Sequence, residues 1–128
     1  MHLVVGPDGF LASHLIALLR EHGRTVVGLG RKPTTQSNVD AYFNDFAKLK
    51  TDWPRFAVVY MLAGYVPYGA FQKASAEFVA TNILLVANLS ALYPDAKMVL
   101  ASSVAVYGTP TVLPITIESA FVNPDLYG

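Results

Sequence analysis

The sequence predicts a doubly wound α/β fold on a parallel sheet. Three observations predict it. Short apolar runs of strand length alternate with stretches of helical spacing. The first apolar run breaks at a glycine turn that opens a helix. The element order reads strand–helix–strand–strand–helix–strand, the alternation a parallel sheet needs for its crossovers.

Each element has a local reason. "HLVV" is a short apolar run ending at Gly6, which suits a buried strand. "GFLASHLIALLREHG" follows, with Phe10, His14, Ala17 and Leu18 at helical spacing and Gly23 as a stop signal. "RTVVGLG" is a second short strand, and "RKPTTQSNVD" is a polar loop broken by Pro33. "AYFNDF" reads as a short strand running out into a loop, and "AKLKTDWPR" as a weak helix or turn ended near Pro54. "FAVVYMLAG" is the most continuous buried strand. From Phe71 to Leu92 the pattern is a long helix, with Phe78, Ile83, Leu85, Val86, Leu89 and Leu92 in a broad apolar stripe. "AKMVLAS" is a further buried strand, and the remainder from Ser103 is mostly loop.

Composition narrows the function classes. The 128 residues make about one domain, and 53% of them are apolar against 14% charged, drier than an average soluble domain. Nine basic residues balance nine acidic ones, so neither nucleic acid nor an anionic membrane is an expected partner. No cysteine is present, which excludes disulfides and thiolate chemistry and fits a cytoplasmic protein; no metal site is expected either. The opening "MHLVVGPDGF" lacks the basic and continuous apolar regions of a signal peptide. The uncharged stretches 56–72 and 78–94 are interrupted by Gly64, Pro67 and Gly69 and by Thr81, Asn82, Asn88 and Ser90. Both fall short of the ~20 apolar residues of a membrane span.

The glycine turn carries the first functional signal. "VVGPDGFLAS" sets Gly6, Gly9 and Ala12 in a G-x-x-G-x-x-A pattern between strand and helix. Such a turn lets a pyrophosphate approach the backbone and sit on the N–H groups of a helix start, while the small third residue lets the helix pack on the strand. Asp8 is awkward there, because a carboxylate repels a pyrophosphate unless it points to solvent or caps the helix. At the end of the second strand, an acid would accept the ribose hydroxyls of NAD. Gly30 stands in that place, with Arg31 and Lys32 beside it, and two cations suit the 2′-phosphate of NADP. NADP is therefore expected over NAD.

These residues together resemble the extended short-chain dehydrogenases/reductases, the NAD(P)-dependent epimerase/dehydratase group. "VVGPDGFLASHL" is similar to the V-T-G-x-x-G-F-I-G-S-H-L opening of that family. The resemblance assigns Gly6, Gly9, Phe10 and Leu11 to the cofactor. "FNDF" sits where the family has an acidic dipeptide against the adenine, giving Asp45 and Phe46 that role. "VVYMLAG" resembles the strand ending in H-x-A-G, so Leu62, Ala63 and Gly64 line the cofactor. "TNILLVANL" resembles the N-V-x-G-T-x-N-L helix, with Asn82 as its leading asparagine. "VLASSVAVYGTP" is close to S-S-x-x-V-Y-G, and "NPDLYG" is similar to the beginning of Y-x-x-x-K. Departures are Ala12 for the third glycine, Met61 for a histidine, Leu85 for a small residue, and Gly30 for the acid.

The resemblance implies a Rossmann-like sheet, incomplete at its C-terminal side, and hydride transfer at a carbon bearing a hydroxyl or carbonyl. Tyr127 takes the position of the acid/base and Ser103 that of the hydroxyl on the reacting oxygen. An isolated tyrosine titrates near 10, so the family places a lysine one turn later to favour phenolate. That lysine would be the fourth residue after Tyr127, beyond Gly128. The expectation is an N-terminal dinucleotide-binding domain over 1–128 without its substrate domain, inactive on its own. It would come from an oxidoreductase or epimerase acting on a sugar-nucleotide-like or other carbonyl compound, and the family implies a homo-oligomer. Alternative readings are a noncatalytic dinucleotide-binding module or partner subunit, and a remnant that matters only as an assembled oligomer.

Overall fold

The computed structural model describes residues 1–31, 38–44, 49, 55–66, 76–124 and 127. The strands are β1 (His2–Val5), β2 (Val26–Leu29), β3 (Ala41–Phe43), β4 (Val58–Met61) and β5 (Lys97–Leu100). All pair in parallel, in the order β3-β2-β1-β4-β5. The chain thus builds outward from β1 on one side, then returns to β1 and builds outward on the other. The reversal lies between β1 and β4, where a doubly wound sheet opens its ligand crevice.

Two apolar layers cover the sheet, and alternation along β1 shows how. Leu3 and Val5 face one layer with Val27, Leu29, Val59, Met61 and Leu89. Val4 faces the other with Val26, Ala12 and Ile16. Covered on both faces, β1 and β2 need apolar residues at successive positions, which is why they read as unbroken runs.

Helix α1 (Phe10–Glu21) lies on the second face. It buries Ala12 and Ile16 and half-buries Leu15 and Leu19. The residues whose spacing announces the helix, Phe10, His14, Ala17 and Leu18, form its exposed face; Phe10 is 84% accessible. This helix is apolar nearly all round, so spacing identified the helix and left its orientation to the small Ala12, which alone allows a close seat on the strand. Its C-terminus is a Schellman motif. Gly23 N–H donates to Arg20 and Arg24 N–H to Leu19, both at 2.9 Å, with Gly23 at φ 68°.

Asp40 fastens the next crossover. Its carboxylate accepts from Val26 N–H at 2.8 Å and from Arg20 at 2.7 Å, and its own N–H donates to Val26 C=O at 2.8 Å. This ties the starts of β2 and β3 to the end of α1. The Val26 N–H, with Arg20 adding, holds the Asp40 carboxyl below its ordinary value. The expected weak helix or turn at 47–55 lies outside the described residues, apart from the buried Leu49 and the exposed Arg55.

The second long helix is not uniform. Ala76 to Phe78 are helical, Val79–Leu84 winds as a π-helix, and α2 (Leu85–Leu92) continues as regular α-helix. Leu89 is fully buried against the sheet. Leu85, Val86 and Leu92 pack around it, whereas Ile83 turns outward. Strand β5 pairs only with β4 among the described residues, and Leu100 at its end is 54% accessible. Among the described residues no helix is long and apolar enough to cross a membrane.

Candidate functional site: a glycine turn and a serine–tyrosine cleft

The turn between β1 and α1 has the shape its glycines imply. Gly6 adopts φ 78°, and a Cβ there would stand 3.0 Å from the N, Cα and Cβ of Ala63. Two strand ends therefore meet with no side chain between them, at the point where the sheet reverses. Gly9 N–H donates to Gly6 C=O at 3.1 Å, and Gly9 starts α1 with no side-chain cap. The first-turn amides, including those of Phe10 and Leu11, have no acceptor within the helix. Free amides, backbone bare of Cβ and the positive end of α1 fit the pyrophosphate of a dinucleotide.

A cleft of about 210 Å³ opens beside this turn, at the ends of β4 and β5. Its walls bring together Ala63, Gly64, Asn82, Ser103 and Tyr127. Leu62 lies just behind, packed into the α1-side layer, with its N–H on Val5 C=O at 3.1 Å. The cleft gathers five of the residues singled out in the sequence from four separate segments.

Ser103 follows β5 and caps the 3₁₀ turn Val104–Tyr107, its Oγ accepting from Ala105 N–H at 3.1 Å. This fixes the oxygen and leaves the hydroxyl hydrogen to donate to a ligand. Tyr127 arrives by a loop closure. Beyond the turn, Thr109 N–H donates to Val122 C=O at 3.0 Å and Val122 N–H to Tyr107 C=O at 3.1 Å, so the chain returns alongside itself. Gly108 makes the closure possible. At φ 63° it sits where a Cβ would collide with the Val122 carbonyl. The Tyr107 ring lies tilted against Phe121, centroids 5.5 Å apart, and the Tyr127 ring meets the buried Phe78 edge-on at 6.4 Å.

Asn82 lines the cleft and also holds its wall. Its Oδ1 accepts from Tyr65 N–H at 2.8 Å, and its Nδ2 donates to Tyr65 C=O at 2.9 Å. It pins the segment leaving β4, which is the wall carrying Ala63 and Gly64. The π-helical stretch holding Asn82 is a feature that recurs at functional sites.

At the other end of the crevice, β2 ends at Leu29, Gly30 follows it, and Arg31 is exposed. Asp8 neither caps α1 nor lies idle. Tyr42, from β3, donates its hydroxyl to Asp8 Oδ2 at 3.0 Å, and the same hydroxyl occupies the space a Cβ on Gly30 would need. Sequence reasoning missed Tyr42. The sole hint was the absence of an acid at Gly30, and no local pattern links positions 8, 30 and 42. Lys32, Asp45 and Phe46 lie outside the described residues.

The description "NAD dependent epimerase/dehydratase family" belongs to the family model that matches residues 2–126. No curated protein matches the chain. Solved structures do. A short-chain dehydrogenase/reductase superfamily protein from Agrobacterium tumefaciens with bound NAD is 24% identical, with a TM-score of 0.79 over 95% of this chain and 39% of that one. UDP-glucose 4-epimerase from Brucella ovis in complex with NAD is 21% identical, with a TM-score of 0.76 over 94% of this chain and 41% of that one. MoeE5 in complex with UDP-glucose and NAD is 29% identical, with a TM-score of 0.71 over 86% and 38%. The chain spans about two fifths of the length of the structures it resembles.

Proposed function

Because the chain belongs to the NAD-dependent epimerase/dehydratase family, we propose that residues 1–128 form the nicotinamide-dinucleotide-binding domain of an oxidoreductase or epimerase. Its substrate is a sugar nucleotide or a related carbonyl compound. The observation that carries this reading is the cleft in which Ser103 and Tyr127 meet Gly64, next to the bare turn at Gly6. The turn holds the pyrophosphate, and the cleft receives the nicotinamide and the carbon to be oxidised or reduced. When bound, the nicotinamide supplies hydride exchange. Ser103 donates its remaining hydrogen to the reacting oxygen, and the Ala105 N–H keeps the serine aimed. Tyr127 exchanges a proton with the same oxygen, and Phe78 buttresses its ring.

Turnover needs more than binding. The family's Y-x-x-x-K pattern places its lysine at the fourth residue after Tyr127, so these 128 residues are proposed to bind the dinucleotide without catalysing appreciable turnover. Gly30, Arg31 and Lys32 favour NADP over NAD, since a cation at this strand end meets the 2′-phosphate. The likeness to a protein solved in complex with UDP-glucose supports a nucleotide sugar as substrate. The protein is expected to be cytoplasmic and to assemble as a homo-oligomer.

Fluorescence titration with NADPH and NADH tests the reading. Saturable binding of at least one is expected, and binding of neither refutes it. In any longer form that turns over substrate, Tyr127→Phe is expected to lower kcat by at least 10²-fold and Ser103→Ala by about tenfold or more, with smaller changes in dinucleotide affinity. Unchanged kcat in Tyr127→Phe removes the tyrosine from the chemistry.

A further inference from the structure

Ser103 borders two cavities, and the proposed site uses only one of them. On its other side lies an open groove of about 500 Å³, within the ~300–1,000 Å³ usual for a small-molecule site. Ser102, Ser103 and Val106 line both the groove and the cleft, so the two share a wall. The remaining lining is mostly apolar: Val104, Tyr107, Ile115 and Ile117, with Thr116 between the two isoleucines. Among the described residues no charged side chain lines it. A turn holds its far wall. Thr116 N–H donates to Ser119 Oγ at 2.9 Å, Ser119 N–H donates to Thr116 C=O at 3.1 Å, and Thr116 Oγ1 accepts from Glu118 N–H at 3.3 Å. The hydroxyls at that wall are thereby engaged by backbone. Val104 is 69% accessible and Ile117 88%, hydrocarbon that a ligand would take out of water.

We propose that this groove is a substrate subsite for an apolar substituent, and that the substrate is an alkyl or aryl ketone, or the matching secondary alcohol, rather than a nucleotide sugar. This rests on the dinucleotide reading above and chooses between the substrate classes that reading allows. With the reacting oxygen on Ser103, one substituent of the reacting carbon passes over the shared wall into the groove, and the cleft keeps the nicotinamide. An alkyl or aryl group gains there by leaving water, and Tyr107 adds an aromatic wall. A sugar or phosphate in the same place would shed its hydration against hydrocarbon and recover few hydrogen bonds. Other apolar side chains of this chain are exposed too, Phe10 and Leu18 on α1 among them. The groove differs from them in being concave and in sharing Ser103 with the cleft.

The test follows isoleucine methyl groups by NMR in protein saturated with oxidised dinucleotide, NAD⁺ or NADP⁺, so that a ketone probe finds no hydride to accept. The chain has four isoleucines. Ile115 and Ile117 line the groove, Ile16 is buried under α1, and Ile83 is exposed on the π-helical stretch. Acetophenone is expected to shift the Ile115 and Ile117 methyls saturably and to leave Ile16 and Ile83 in place, whereas UDP-glucose leaves the groove methyls unmoved. Val104→Asp, a charge on an exposed wall position, is expected to weaken acetophenone about tenfold, and Val104→Leu to retain it. Thermal melting of both variants confirms that they are folded. Equal shifts at Ile83 mean adsorption to any apolar surface, shifts that grow with protein concentration alone mean a second copy in the groove, and groove shifts with UDP-glucose alone mean a sugar site; each overturns the inference. Unmoved groove methyls in protein that binds the dinucleotide also overturn it and leave the dinucleotide site standing. Binding of neither dinucleotide overturns both.

Discussion

Three glycines offer a graded experiment on the central contact of the site. Gly64 lies on the cleft wall, and nothing lies within 4 Å of the position its Cβ would take. Gly23, at the end of α1, also has nothing within 4 Å, but it sits at φ 68°. Gly6 combines φ 78° with a Cβ position 3.0 Å from three atoms of Ala63, two of them backbone. Alanine at each position therefore separates the costs. Gly64→Ala carries neither penalty and is expected to be neutral or to stabilise by up to about 1 kcal/mol, through a less flexible unfolded chain. Gly23→Ala pays only for a left-handed conformation, about 1–2 kcal/mol. Gly6→Ala pays that amount and an overpacking cost of about 1–3 kcal/mol, because backbone cannot step aside as a flexible side chain does. The sum, about 2–5 kcal/mol, is a large share of a domain's usual ~5–15 kcal/mol. Urea unfolding at fixed pH measures all three. If Gly6→Ala costs no more than Gly23→Ala, the two strand ends do not meet as described, and the pyrophosphate cradle loses its geometric basis.

Three other outcomes are expected. Asn82→Ala removes two hydrogen bonds to Tyr65 and should cost about 1–3 kcal/mol; Asn82→Asp, which retains only the acceptor, should fall between it and the wild type in the same unfolding assay. For Asp40, a lowered folded-state value means that its stabilisation is present above the unfolded carboxyl value of 3.8 and is lost as pH falls through the folded one. Asp40→Asn should lower stability at pH 7 by no more than about 1 kcal/mol, since the ion pair is more than a third exposed, and the gap to wild type should close below pH 4. His2 also loses stability on acidification, from its ordinary 6.5 downward, because burial disfavours its charged form; it is common to both proteins and cancels in the comparison. Gly108→Ala should open the pairing of Thr109 with Val122, destabilise the loop and weaken any ligand that spans Ser103 and Tyr127, as measured by titration and urea unfolding.

The fold was legible because a parallel sheet covered on both faces forces continuous apolar strands, and "HLVV", "VVGL" and "VVYM" show that demand directly. Ala12 was legible for the same reason: a helix laid close on a strand needs a small residue, and Ala12 is 1% accessible. The orientation of α1 was not, because Phe10, Leu11 and Leu18 make its outer face as apolar as its inner one. In the site, Gly6, Ser103 and Tyr127 carried local patterns that could be read. Asn82 could be placed by its motif, but not its grip on Tyr65, since a hydrogen bond across 17 residues leaves no periodic trace. The Tyr42–Asp8 bond spans 34 residues and was invisible for the same reason.

The π-helical stretch at Val79–Leu84 has a bearing on how the two apolar demands on one helix are reconciled. A wider turn winds more slowly than the regular 3.6 residues per turn, so it offsets the faces before and after it. Leu89 on the far side faces the sheet, while Phe78 on the near side faces Tyr127 and Asn82 reaches Tyr65. The stretch works as a gear between two registers, one answering to the core and one to the cleft. A single-residue deletion there would restore uniform pitch and force the helix to choose, keeping Leu89 in the sheet and swinging Phe78 and Asn82 off the segments they hold.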